Sequence, residues 1–184
     1  MMQYLSKIQI VEMSESVFQQ FSYACSAFDE ADFFVQPNGK WSVAENVQHL
    51  VTSTNTTTLA YTLPAFIVRL MAGKPNRASR SYEDLVNKYK TKLAEGGRAS
   101  GRFIPTRAQI KKGKDELILA WNLAAEKFIY AIKNKTSETK LDDYLVRHPL
   151  LGRITLRELC YFTIYHTEHH LNIIQQIQGN RLKP

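Results

Sequence analysis

Read for its spacing of apolar side chains, the chain divides into long helical stretches separated by short punctuated breaks. From Ser14 to Asp32 the apolar residues Val17, Phe21, Ala24, Phe28 and Ala31 recur at alternating four- and three-residue intervals, which predicts a first amphipathic helix beginning at or before Ser14. Pro37, Asn38 and Gly39 end it. The pattern restarts at Trp41: Ser42 and Glu45 form a capping box, with Trp41 in the position of a hydrophobic staple, so the second helix has a sharp start. One of its faces carries Val43, Val47 and Val51, while Glu45, Asn46, His49, Ser53 and Thr56 form a polar ridge on the other. Such a ridge faces solvent or lines an internal site, and the pattern leaves both open.

Asn55 to Thr58 is a poor helix-forming run, and Pro64 kinks this helix or opens a new segment from Ala65 to Ala72 that stops at Gly73. Leu85, Tyr89 and Leu93 mark a short amphipathic helix over Tyr82 to Glu95, ended by Gly96 and Gly97. Arg98 to Pro105 is irregular and basic, which predicts a mobile loop and a lid. A third long helix is expected from Arg107 to Lys133 on the stripe Ile110, Leu117, Trp121, Ala124, Phe128 and Ile132. Lys135 to Ile154 reads as a connector with helical potential around Leu141 to Val146, and a second capping box, Thr155 with Glu158, opens a fourth helix that stops at Gly179 and Asn180. No stretch reads as a strand. The expected architecture is all-α: a four-helix bundle with a short extra helix between helices 2 and 3, as one domain over residues 1–184.

The stripe of the fourth helix runs Leu156, Leu159, Thr163, His166, His170, Ile173 or Ile174, and Ile177, so two histidines occupy places where a bundle wants aliphatic side chains. Four residues apart, their imidazoles leave one face a turn from each other. That spacing supplies two ligands of one metal ion, and is also met by packed or surface histidines without one. His169 lies about 60° around the helix from His166, able to stand in as a ligand or to face solvent. A third protein ligand must come from another element.

Composition changes this picture little, whereas charge changes it more. Cys25 and Cys160 fall inside helical patterns, as small buried hydrophobes rather than a disulfide framework. The N-terminus lacks a signal-peptide pattern, and no stretch nears the ~18 apolar residues of a membrane span, so a cytoplasmic protein is expected. The net charge of +7 is concentrated between Arg69 and Lys114, where thirteen Lys or Arg face three Asp or Glu. An anionic partner is the natural inference from that asymmetry. Without a recognisable nucleic-acid fold, the segment does not point to nucleic acid, and Tyr82, Tyr89 and Phe103 fit core positions as well as stacking platforms.

Three pieces together resemble a known family. Trp41-Ser42-Val43-Ala44-Glu45-Asn46-Val47-Gln48-His49-Leu50, the run His148-Pro149-Leu150-Leu151-Gly152-Arg153-Ile154-Thr155 through Glu158, and the pair His166 and His170 are similar, in order and spacing, to the motifs of the DinB/YfiT-like superfamily. The resemblance implies a DinB/YfiT-like four-helix bundle in which His49, His166 and His170 hold one divalent metal ion. It assigns no role to His169, Glu45, Glu168 or Tyr165. Members of the family include bacillithiol-, mycothiol- and glutathione-dependent transferases and isomerases.

Three neutral imidazoles leave an ion its full charge and open positions, so it can activate water or a thiol near neutral pH. Imidazole ligands favour Zn or Ni over Mg or Ca. The expected function is metal-dependent transfer or hydrolysis on a small molecule, with a low-molecular-weight thiol or water as nucleophile. The alternative is a non-enzymatic stress-response or binding module that uses residues 69–114 to contact an anionic partner. A homodimer is expected as for many bundles of this size, although no interface is identifiable.

Overall fold

A computed structural model of the chain describes residues 4–181. Helix α1 (Lys7–Ser26) starts earlier than Ser14 because Ser6 and Gln9 make a full capping box, and it ends earlier than Asp32. The predicted first helix is therefore two pieces, the second being the single turn α2 (Glu30–Phe33), whose N-cap is Asp29. A 3-10 turn at Pro37–Gly39, with Asn38 at φ 50°, leads to α3 (Val43–Thr62), which opens on the Ser42–Glu45 box. This helix runs straight through the run expected to weaken it. The hydroxyls of Thr56, Thr57 and Thr58 donate back to the carbonyls of Thr52, Thr54 and Thr54, satisfying the polar groups that would otherwise compete with the backbone.

Pro64 separates α3 from α4 (Ala65–Ala72), and α5 (Tyr82–Ala94) follows. The expected third helix is broken at Gly113 into α6 (Arg107–Ile110) and α7 (Lys114–Lys135), so the connection between the second and third long helices carries three short helices rather than one. Helical character in the connector from Lys135 to Ile154 is limited to α8 (Lys140–Asp143). The chain then forms an antiparallel hairpin that was not expected: β1 (Leu145–His148) pairs with β2 (Gly152–Thr155), Leu145 opposite Thr155 and His148 opposite Gly152. Helix α9 (Leu156–Arg181) completes the bundle on the predicted Thr155–Glu158 box.

The four long helices form a ring in which α1 lies against α7 and α9, and α3 also lies against α7 and α9. Their directions follow from the contacts at their ends. The Lys7 ammonium donates to the Lys133 carbonyl, so α1 and α7 are antiparallel; Arg157 donates to the Leu5 carbonyl just before α1, so α1 and α9 are parallel. The Tyr61 hydroxyl, near the end of α3, donates to the Leu156 carbonyl at the start of α9, so those two are antiparallel. Helices consecutive in sequence are thus diagonal or parallel neighbours, and the segment from Leu63 to Gly113 is the crossover that makes this order work.

The core at the α1–α7 seam is aromatic: Phe18 and Phe21 meet the Trp121 ring edge-on at centroid distances of 5.3 and 5.1 Å. Cys25 and Cys160 are free and buried, and burial pushes the Cys160 thiol up to about 12. Much of the basic segment is engaged internally. Arg77 grips the fully buried Glu158 carboxylate with two nitrogens at 2.7 and 2.8 Å, Arg80 adds its backbone N–H and guanidinium, and Lys88 donates to the Leu151 carbonyl. Lys114 donates to the carbonyls of Ser26 and Phe28.

Candidate metal centre

Helix α3 presents His49 and helix α9 presents His166 and His170 to one point between them. The His166 Nε2 lies 3.0 Å from the Nε2 of His49 and 3.2 Å from that of His170. All three side chains are buried. The polar ridge of the second helix therefore faces inward, and Asn46, Ser53 and Thr56 share a cavity wall with His49.

For His49 and His170, the partner of the other ring nitrogen fixes the tautomer. The His49 Nδ1 is 2.7 Å from the Phe103 carbonyl oxygen, which can only accept, so Nδ1 carries the proton and Nε2 is left as a bare lone pair. The His170 Nδ1 is 2.7 Å from Asn46 Oδ1. The Asn46 amide nitrogen is committed to the Ser42 carbonyl at 2.8 Å and the Trp41 carbonyl at 3.3 Å, so its oxygen must face the imidazole and accept. His170 accordingly also points an unprotonated Nε2 inward. Ser53 Oγ sits 3.5 Å from the His166 Nδ1.

Lone pairs converging at this range repel unless a proton or cation lies among them. Protonation is disfavoured: burial, reinforced by neighbouring histidines, holds His166 and His170 well below the ordinary histidine range, and burial also lowers His49 against the opposing pull of the Phe103 carbonyl. An ion held tetrahedrally by imidazoles at ~2.0–2.1 Å spaces its ligand nitrogens by about 3.3–3.4 Å, and the His166 separations of 3.0 and 3.2 Å come close to that. The donor set is all nitrogen, suited to a divalent transition metal. Among the described residues these three form the cluster of ligating side chains able to share one ion.

Aromatic rings shield the cluster. Trp41 lies 5.1 Å from the His49 ring and stacks on His170 at 6.5 Å, while Phe162 stacks on His166 at 4.8 Å with an interplanar angle of 22°. His148 backs Phe162 at 4.1 Å, and its Nδ1 accepts from the backbone N–H groups of Leu150 and Leu151, capping the hairpin turn. Gly152, at φ +74°, closes that turn in a conformation that favours glycine. The His148-to-Gly152 stretch thus supports a site imidazole from behind and walls the cavity beside it, without joining the histidine cluster. His169 is offset as expected, its ring 5.3 Å from that of His170 and lining the cavity rather than joining the cluster.

The loop over Arg98 to Pro105, expected to be free, is anchored at the site. Its 3-10 turn Gly101–Phe103 delivers the carbonyl that orients His49. Of the two groups that orient the imidazoles, that carbonyl and Asn46, one is visible in the sequence. Asn46 had a signal, its position one turn before His49 on the polar ridge; a backbone carbonyl has none. The cluster opens on a cavity of about 1300 Å³ bounded by α3, α9, the hairpin and this loop.

Comparison with known proteins agrees with this architecture. The chain matches the DinB superfamily over residues 14–174, and it belongs to that family. Its structure is similar to that of YfiT from Bacillus subtilis, described as a probable metal-dependent hydrolase with an unusual four-helix bundle topology. The TM-score is 0.66 at 14% identity, covering 95% of this chain and 87% of that one, which places both in the same four-helix bundle fold. No curated protein sequence matches. Among the described residues no helix is long and apolar enough to cross a membrane.

Proposed function

We propose that the chain holds one divalent metal ion, zinc or nickel, on His49, His166 and His170, and that it is an enzyme acting on a small molecule by hydrolysis or by transfer of a low-molecular-weight thiol. The observation that carries this reading is the convergence of three Nε2 atoms, two of which, on His49 and His170, are left unprotonated because their imidazoles donate outward from Nδ1. In a trio that merely packs, each ring is free to place its proton on Nε2; on His49 and His170 it is held at Nδ1 instead. YfiT, described as a probable metal-dependent hydrolase, supports the same class of chemistry. When bound, such an ion supplies Lewis acidity that makes a water or thiol nucleophilic at neutral pH.

The chain's own residues do the rest. Asn46 and the Phe103 carbonyl keep the Nδ1 protons of His170 and His49 in place, so both rings present the nitrogen that can ligate. Trp41 and Phe162 exclude water from the inner faces of the imidazoles. The cavity provides room for a substrate beside them. The competing reading, a basic docking segment over residues 69–114, draws less support because Arg77, Arg80, Lys88 and Lys114 are engaged within the fold.

The test is elemental analysis of protein purified without a histidine tag and reconstituted with zinc or nickel. About one ion per chain is expected, with most of it lost in His49→Ala, His166→Ala and His170→Ala, and retained in His169→Ala. Absence of stoichiometric metal after reconstitution would sink the reading. Thiol consumption and ester or amide cleavage, assayed in parallel on the loaded protein, separate transfer from hydrolysis.

A further inference from the structure

The cavity that meets the three imidazoles has an unbalanced wall. Lys40, Arg98, Arg102 and Arg147 line it, and the carboxylate among the lining residues is Asp32. None of the four cations takes part in an ion pair among the described residues, in contrast to Arg77, Arg80 and Arg157, whose guanidiniums are bound to carboxylates. Three of the four are placed by the site itself. Lys40 precedes Trp41, whose ring packs on His49 and His170; Arg102 precedes Phe103, whose carbonyl holds His49; and Arg147 precedes His148, which backs the ring stacked on His166.

The remainder of the wall is largely apolar, with Leu63, Val68, Leu93, Leu150, Ile173 and Ile177 lining it. Apolar walls concentrate the field of the charges among them, and three neutral ligands would do nothing to offset the charge of an ion at the centre. At about 1300 Å³ the space exceeds that of a compact metabolite.

We propose that the cavity takes a molecule joining a carboxylate or phosphate group to an apolar body, its anionic end held by Arg98 and Arg102 and flanked by Lys40 and Arg147. This names the substrate class of the same site and rests on the reading above for the position of the reacting end, while recognition of the anion rests on the cavity wall alone. Arginine supplies the paired N–H groups that both anions accept.

The chain carries its own reporter. Of its two tryptophans, Trp41 lines the cavity and Trp121 is buried in the aromatic core. Trp41 emission is followed while zinc-reconstituted and metal-stripped protein are each titrated with decanoate, decyl phosphate, decanol and decyltrimethylammonium. Both anions are expected to bind at least tenfold more tightly than decanol, with the cation weakest, and the preference persists in stripped protein, where a carboxylate cannot simply ligate zinc. The relative strength of decanoate and decyl phosphate tells which anion the guanidiniums favour. In the Arg98→Ala/Arg102→Ala double variant the anions should fall to within threefold of decanol, and in unmutated protein 0.5 M salt should narrow the gap.

Equal binding of decanol and the anions by stripped protein, or an unchanged preference in the double variant, overturns the proposal. Both arginines are exposed, and because Arg102 also lies over the Phe103 ring, circular dichroism of the double variant checks its fold while the salt series gives a second route to the same decision. A protein that takes up no zinc yet prefers the anions removes the metal reading and supports this one. A protein that takes up zinc and is indifferent to charge removes this one alone.

Discussion

Asn46 shows how much a single amide decides. Its nitrogen is held by carbonyls at the start of α3 and its oxygen holds a ring on α9, so the N-terminal turn of one helix sets the tautomer of a histidine on another. Removal of such an outer partner typically lowers metal affinity ~10–100-fold. Asn46→Ala is expected to fall in that range with helical content unchanged, and Asn46→Asp, which keeps an acceptor, to recover most of the loss; competition against a chelator measures both. Acid acts at the same scale. Because burial holds His166 and His170 well below the usual histidine range, protons should not compete with a bound ion near pH ~6.5 but only at lower pH. Metal affinity should therefore stay flat from pH 7.5 to 6.5 and fall below that, as the chelator titration repeated across pH will show. His148 provides the matching stability test, its pKa being lowered to about 4 by burial. The unfolded chain takes up this proton first, so stability is complete above ~6.5 and is lost as pH falls towards 4, by about 2–3 kcal/mol from this one group. His148→Asn keeps an acceptor for the turn and removes the titration, so urea unfolding at pH 7 and pH 4 should show a smaller acid loss in the variant.

At the scale of elements, what was legible was whatever is encoded locally. The starts of α3 and α9 could be read because a capping box is two side chains three residues apart, and both boxes form as spelled. The hairpin could not: its strands are four residues each, too short for a period of two to emerge, and Arg153 and Ile154 read equally well as a helix approach. The break at Gly113 was masked by an apolar stripe that continues across it. The candidate site was half legible. His166 and His170 declare themselves by helical spacing, whereas the inward turn of His49 depends on which helix faces the polar ridge, something only the family resemblance supplied. Glu158 joins elements that sequence keeps apart, tying Arg77 and Arg80 to the first turn of α9. Glu158→Gln should cost about 2 kcal/mol in urea unfolding, allowing for the partial exposure of Arg77, and Arg77→Ala should cost less because the Arg80 and Thr155 N–H groups still satisfy the carboxylate.

For the whole molecule, the order of helices matters more than their number. Helices α3 and α7 run the same way, so the crossover between them must traverse the bundle, and it brings α5, the Gly101–Phe103 turn, Arg98 and Arg102 to the cavity as it does so. An ion bound to the finished bundle but not to the unfolded chain stabilises it by mass action, about 2.7 kcal/mol at a hundredfold excess over Kd. Thermal unfolding should thus shift upward with zinc in the unmutated protein and in His169→Ala, and not in His49→Ala, His166→Ala or His170→Ala.

His49 and His166 are separated by 117 residues along the chain. A nascent polypeptide still lacking α9 has one of the three imidazoles and nothing to pair it with. Loading would therefore wait on synthesis of α9 and its docking against α3, and an ion taken up then would act as a cross-link between elements far apart in the chain. Metal supply would in that way set the yield of mature protein in the cell: chains made under starvation would lack this clasp and, being less stable, would be the ones exposed to proteolysis.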